Sequence, residues 1–340
     1  MTNRREFIQQ ISAAGLLVGL PGGLISQPKI ADDRIWAGLL HLSFNFAAGI
    51  AKYGGLREEF EPDEILWDDA IKKMADAGMN MVLINLDDSV KWNSHPEISV
   101  RNAWSPEKLR NKVEKIRKQG LEPIPMLNFS STHDAWMKDY ARMVSTEKYY
   151  SVCKNLIAEA IEIFDKPRFF HLGMDEETAS HQSHFDHTVI RKNDLWWGDF
   201  YFLIGEVMKG GARPWIWSDY VWHNPEQFYK KMPKSVVQSN WYYGENFDLS
   251  NLSQERKIYV QAYLDLQSSG YDQIPTGSND QQNPNSIGNT VKFCGKHIQD
   301  KKLLGFLQTF WKPTIEEYRN LIMEGIELTG ASKKWLAQNN

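Results

Sequence analysis

From residue 34 onward the chain alternates between short apolar runs rich in β-formers and longer stretches whose apolar positions recur every three or four residues. The short runs read as strands over 35–46, 79–86, 121–129, 169–177, 213–219, 236–242, 257–263 and 303–310. The longer stretches read as helices. One covers 62–78, with Asp63 and Glu64 in its first turn and Gly78 at its end. Ser105 and Pro106 give the next helix a cap and an N1 proline, and Gly120 stops it. Val152, Leu156, Ile157, Ala160 and Ile163 mark one face of a third over 147–164. Further helices are expected over 193–209, from the end of a Gly-, Ser-, Asn- and Gln-rich loop (267–285) to Lys302, and from Pro313 onward. The connections around the sixth and seventh runs look short of helix.

Eight strand signals joined mostly by helical crossovers predict an α/β protein, a closed parallel (β/α)8 TIM barrel in a single domain over 31–340. No Gly-rich phosphate fingerprint follows the first run, which argues against a doubly wound nucleotide-binding sheet.

The N-terminus departs from this pattern. Arg4 and Arg5 precede an uncharged apolar stretch over 11–25, as in a twin-arginine export signal, so 1–30 is expected to be a signal peptide and the protein to be periplasmic or extracellular. No other apolar stretch approaches the roughly 20 residues of a membrane span. Of 340 residues 42% are hydrophobic and 24% charged, an ordinary globular balance. A net charge of -4 without basic runs points away from nucleic acid and anionic membranes and toward a neutral ligand. Cys153 and Cys294, far apart, offer neither a disulfide framework nor a zinc pair.

In this register the carboxyl ends of the strands carry Asn45, Asp87 and Asp88, Asn128, Asp175 and Glu176, Trp217 and Asp219, Trp241 and Tyr242, Tyr263 and Asp265, and Trp311. That is the face on which such barrels keep their active sites. A single tryptophan could be an ordinary core or rim packer, but repetition at strand ends favours one acidic, aromatic mouth. Aromatic faces suit sugar rings, and carboxylates bind hydroxyls and move protons. Asp175 and Glu176 are consecutive, and neighbours on one strand end approach from the same side. Two-carboxylate glycosidases instead flank the sugar, about 5 to 5.5 Å apart or more. The pair therefore suits a division in which Glu176 protonates the leaving oxygen while Asp175 orients a nucleophile already on the substrate, such as a 2-acetamido group. The alternative for Asp175 is a structural role against a buried arginine or a helix cap.

His171-x-Gly173-x-Asp175-Glu176 resembles the His-x-Gly-Gly-Asp-Glu signature of family 20 β-N-acetylhexosaminidases, with Met174 at the second glycine. The third-strand run followed by His133, without the proline and glycine of the family's Pro-Gly-His turn, the acids Asp87 and Asp88, Trp217, Trp241, the Tyr263-Leu264-Asp265 triplet and Trp311 are similar to that family's further motifs in order. The resemblance implies a pocket for a 2-acetamido sugar, with Asp175 and Tyr263 holding the acetamido group and tryptophans walling it. Asp87, Asp88, His133, His171 and Asp265 complete the expected carbohydrate site. Two positions depart: the family's first-strand arginine falls at Asn45 and its last-strand glutamate at Pro313. This implies remade hydroxyl contacts and an altered substrate, or a barrel that binds glycans without cleaving them. No cofactor and no metal is expected. His181, His184 and His187 with Asp186 have a spacing that could ligate a metal, but a polar loop rimming the cleft is the favoured reading. A second carboxylate at Asp219 or Asp265 would make an ordinary glycosidase.

Overall fold

The computed structural model describes residues 34–47, 56–59, 62–183, 185–280 and 283–339. The expected signal segment and His184 lie outside them. Eight parallel strands, β1 (Ile35–His41), β2 (Met81–Asn85), β3 (Glu122–Met126), β4 (Phe169–His171), β5 (Arg213–Trp217), β6 (Val237–Ser239), β7 (Thr276–Ser278) and β8 (Gly305–Thr309), follow one another in the order β6-β5-β4-β3-β2-β1-β8-β7. Bridges from Gln238 to Gln273 and from Trp241 to Thr276 join the two ends, so the sheet closes into a (β/α)8 barrel.

The inward and outward faces follow the strand period of two. Ile35, Ala37 and Leu39 meet Met81, Leu83 and Trp215 in the barrel interior, while Trp36 and Leu40 join the larger apolar layer beneath the helices. That layer is supplied by α1 (Glu64–Asp76), α2 (Pro106–Lys118), α3 (Glu147–Ile163), α4 (Asp194–Lys209), α5 (Tyr220–His223), α6 (Pro225–Lys231), α7 (Gln254–Ser268), α8 (Ser286–His297) and α9 (Arg319–Asn339). The first helix begins where Asp63 accepts from the backbone N–H groups of Ile65 and Leu66, and buries Leu66, Trp67, Ala70, Ile71 and Met74. Full burial of each large apolar chain contributes about 1.5–3 kcal/mol. Ser105 caps α2 and Thr146 caps α3 in the same way.

One strand differs from the sequence reading. Residues 257–263 lie within α7, which Ser253 caps, and β7 is Thr276–Ser278, inside the stretch expected to be loop. Ile258, Tyr259 and Val260 are β-formers by local preference, but packing turns Val260, Tyr263 and Leu266 toward the sheet at helical spacing. The replacement strand is small and polar, and survives burial because Ser286 receives and returns hydrogen bonds at Ser278. The last helix also starts later than expected, at Arg319, after a short 3-10 turn.

Candidate active site

The turn after β4 is strained. Gly173, Met174 and Glu176 have φ of +69°, +75° and +59°. Such conformations cost non-glycine residues about 1–3 kcal/mol each and persist only when neighbours hold them. Gly173 is required twice over, because a Cβ there would run into Asn128 as well as adopt a positive φ. The turn after β3 supplies the restraint. Ser130 Oγ donates to the Asp175 carbonyl, Thr132 Oγ1 to the Glu176 carbonyl at 2.7 Å, and the Ser131 N–H to Glu177 Oε1 at 3.0 Å. From β5, Asp219 Oδ2 accepts the Glu176 N–H at 2.8 Å.

The three acids then part. Glu177 turns inward to Arg191, whose Nε donates to Oε2 at 3.1 Å and whose Nη1 reaches Asp199 at 3.2 Å, all three side chains being buried. Asp175 and Glu176 share His133, whose Nε2 lies 3.5 Å from Asp175 Oδ2 and 3.3 Å from Glu176 Oε2. Asn128 Nδ2 donates to the other Asp175 oxygen at 2.9 Å. Asp175 is 7% exposed and sits one layer below the opening. Glu176, with a third of its side chain exposed, reaches the opening, where His181 Nε2 stands 3.6 Å from Oε1.

Electrostatics separate these groups. Burial opposes charge on His133, but the Asp175 and Glu176 carboxylates outweigh it and lift the imidazole to about 9. Burial raises Asp175 above the usual carboxylate range, against the pull of His133. Burial, with repulsion from Asp175, pushes Asp219 well above it too. A region of buried acids pushed toward their neutral forms, with one cation among them, is the kind of place where proton transfer is tuned.

A cavity of about 330 Å³ opens beside Glu176 and Asp219, walled by Trp222, Trp241, Tyr243 and Tyr259. The other expected residues divide. Trp217 is buried between His171, Trp241 and Trp311, with ring centroids 4.5, 5.8 and 5.7 Å away. Trp311 donates from Nε1 to Tyr243 Oη at 3.0 Å. His171 is a scaffold residue: it is fully buried, its Nδ1 accepts from the Gly173 N–H at 3.1 Å, and burial keeps its pKa well below the ordinary value. Asp87 and Asp88 are completely buried. Asp87 accepts from the Asn128 N–H at 3.1 Å, and Asp88 accepts from Ser43 Oγ at 2.5 Å and Asn45 Nδ2 at 2.6 Å. Burial lifts Asp88 to about 6.

Tyr263 and Asp265 require correction. Both lie on α7, not at a strand end: Tyr263 is buried in the outer apolar layer near Phe247 and Phe293, and Asp265 borders a different groove, beside Tyr229 and Gln261. Tyr243 brings an aromatic hydroxyl to the mouth, because β6 stops at Ser239 and leaves Trp241, Tyr242 and Tyr243 in the loop beyond it. Sequence reasoning also missed Arg191 and the Ser130–Thr132 clamp; Arg191, a lone arginine in a polar loop, carries no local signal. Of the loop histidines, His181 lines the cavity and bonds Thr178 Oγ1 at 2.7 Å, while His187 is exposed. Among the described residues no helix is long and apolar enough to cross a membrane.

No family model matches the sequence, and no curated protein does. Solved structures do match. A β-N-acetylhexosaminidase from Bacteroides fragilis is 13% identical, with a TM-score of 0.58 over 86% of this chain and 65% of that one. The chitobiase of Flavobacterium johnsoniae is 16% identical, with a TM-score of 0.58 over 90% and 50%. Dispersin B is 14% identical, with a TM-score of 0.56 over 88% and 99%. The chain thus spans about two-thirds and half the length of the first two, and nearly all of the third. At these identities the likeness is one of fold.

Proposed function

We propose that this chain is a glycoside hydrolase of the family 20 type, cleaving linkages of 2-acetamido sugars such as N-acetylglucosamine or N-acetylgalactosamine with retention and with the substrate's own amide as nucleophile. The observation that carries the reading is the arrangement of Asp175 and Glu176 about His133, one acid recessed and one at the cavity. The names of the structures sharing the fold, β-N-acetylhexosaminidase and chitobiase, support it.

In this reading Glu176 gives its proton to the leaving oxygen. Asp175, fixed by Asn128, accepts the acetamido N–H and turns the amide oxygen toward the anomeric carbon. Tyr243, rather than Tyr263, offers its hydroxyl to that oxygen. Water then opens the cyclic intermediate, returning a proton to Glu176. Trp222 and Trp241 are the sugar-facing walls. Asn45 is committed to Asp88 and to Arg57, whose carbonyl and N–H it bonds at 2.9 Å, so hydroxyl recognition on that side differs from the pattern the resemblance implies. Residues 1–30 are proposed as the export signal, placing the barrel outside the cytoplasm.

Aryl 2-acetamido glycosides assayed with wild type, Glu176→Gln and Asp175→Asn test the proposal. Turnover by wild type is expected, lost in Glu176→Gln. Asp175→Asn should slow the acetamido substrate far more than the matching plain glucoside. Sugar binding without turnover of any aryl glycoside would mark a glycan-binding barrel, and equal losses on both substrates would make Asp175 merely structural.

A further inference from the structure

We infer that His133, Asp175 and Glu176 form a binding site for a divalent transition-metal ion, Zn²⁺ foremost, that competes with the proton chemistry of the two acids. One ligand atom from each residue lies within 4.8 Å of the others. The separations on His133 are the informative ones. At 3.5 and 3.3 Å, Nε2 is too far from the carboxylate oxygens for strong charge-assisted hydrogen bonds, which run at about 2.7–2.9 Å. These two separations match two edges of a tetrahedron, and the third, between the acids, is within 4.8 Å. Zn–N and Zn–O bonds of about 2.0–2.1 Å put neighbouring ligand atoms about 3.3–3.4 Å apart.

The surroundings orient the donors as metal sites require. His133 Nδ1 faces the Phe46 carbonyl at 3.4 Å, which directs Nε2 to the acids. Asn128 occupies Asp175 Oδ1 and leaves Oδ2 for the shared point. Outer hydrogen bonds of this kind fix tautomer and carboxylate orientation at zinc centres. Two carboxylates and an imidazole that gives up its proton to the ion make a hard-to-borderline donor set whose net charge matches a divalent cation, and Glu176 lines the cavity. An ion there would hold Glu176 as a carboxylate and withdraw Asp175 from any amide. The inference rests on the geometry of the three residues and does not need the reaction proposed above.

The test is equilibrium dialysis of chelator-stripped protein against Zn²⁺ with elemental analysis, alongside the visible spectrum after loading with Co²⁺, whose tetrahedral complexes absorb strongly. One ion per chain and a tetrahedral cobalt spectrum are expected. His133→Gln and Glu176→Gln should each weaken binding at least tenfold, while His187→Ala should leave it unchanged. Glu176 is partly exposed, so its variant serves if His133→Gln misfolds. No bound ion in wild type overturns the inference, as does an ion retained in both site variants or lost in His187→Ala. Glycosidase assays on stripped protein are read separately. Turnover without metal binding sinks only the metal site, and metal binding without turnover sinks only the hydrolase reading.

Discussion

Asp219 Oδ2 accepts the backbone N–H of Glu176 at 2.8 Å, and its Oδ1 is buried without a partner among the described residues. The acid side chain at the end of one strand therefore sets the peptide of the acid at the end of its neighbour. Glu176 needs that help because its φ of +59° is unfavourable for a side chain with a Cβ.

Asp219→Ala removes the acceptor and should let the turn relax, displacing the Glu176 carboxyl. Misplacement of about 1 Å is enough to reduce turnover by about 10². Asp219→Asn keeps an oxygen for the Glu176 N–H and should stay within about tenfold of wild type. Steady-state kinetics of both variants on an aryl 2-acetamido glycoside check this. Equal losses in the two would place the importance of Asp219 in its charge rather than in the hydrogen bond.

Tyr243→Phe should lower kcat on the acetamido substrate by about 10–100-fold, as expected when one donor to a developing charge is removed from an enclosed site. The ring keeps its place against the cavity, so stability should change little. Tyr263→Phe should leave kcat intact, because Tyr263 packs in the layer under α7. A loss in Tyr263→Phe instead would restore the role that sequence reading gave it.

The contrast between these tyrosines shows what could be read from the chain and what could not. The barrel was legible because alternation of β-runs and amphipathic stretches survives in every unit but one. It failed at 257–263, where Tyr259, Val260 and Tyr263 favour strand locally and a Ser253 cap decides for helix. That one misplacement carried Tyr263 and Asp265 to the wrong end of an element. The placement of Asp175 and Glu176 at the end of β4 was legible because they close an apolar run that reads as a strand. Their supports were not: Ser130, Thr132, Asp219 and Arg191 act through contacts 14 to 45 residues apart, which no local pattern records.

Arg191 is the cation whose loss should be felt most in stability. It neutralises Glu177 and Asp199 and also bonds the Phe129 carbonyl at 3.0 Å, entirely out of solvent. Removing one member of such a network leaves buried charge uncompensated, at a cost of about 3–5 kcal/mol. Arg191→Met should show this as a lowered urea midpoint with an unchanged slope. Adding Glu177→Gln should recover part of the loss, since one of the two stranded acids is then neutral. A double variant no better than the single would contradict the pairing.

His41 gives the barrel a pH dependence with a definite sign. It is buried at the end of β1, its ring stacked on Phe46 at 5.1 Å, and burial lowers its pKa to about 3 from an ordinary 6.5. Between those values the unfolded chain holds a proton that the folded chain does not, so stability falls as pH falls. The contribution is fully present above pH 6.5 and amounts to a loss of about 2 kcal/mol by pH 5. His171, also depressed by burial, acts in the same direction. Asp88 and Asp134, raised by burial to about 6, oppose it, because they take up protons in the folded state first. The wild-type curve therefore sums terms of both signs, and the difference between wild type and His41→Gln isolates one of them. Urea unfolding at pH 7.5 and pH 5 should show the gap between the two proteins moving by about 2 kcal/mol in favour of the variant at the lower pH. A gap independent of pH would mean that His41 keeps its ordinary affinity for protons in the folded barrel.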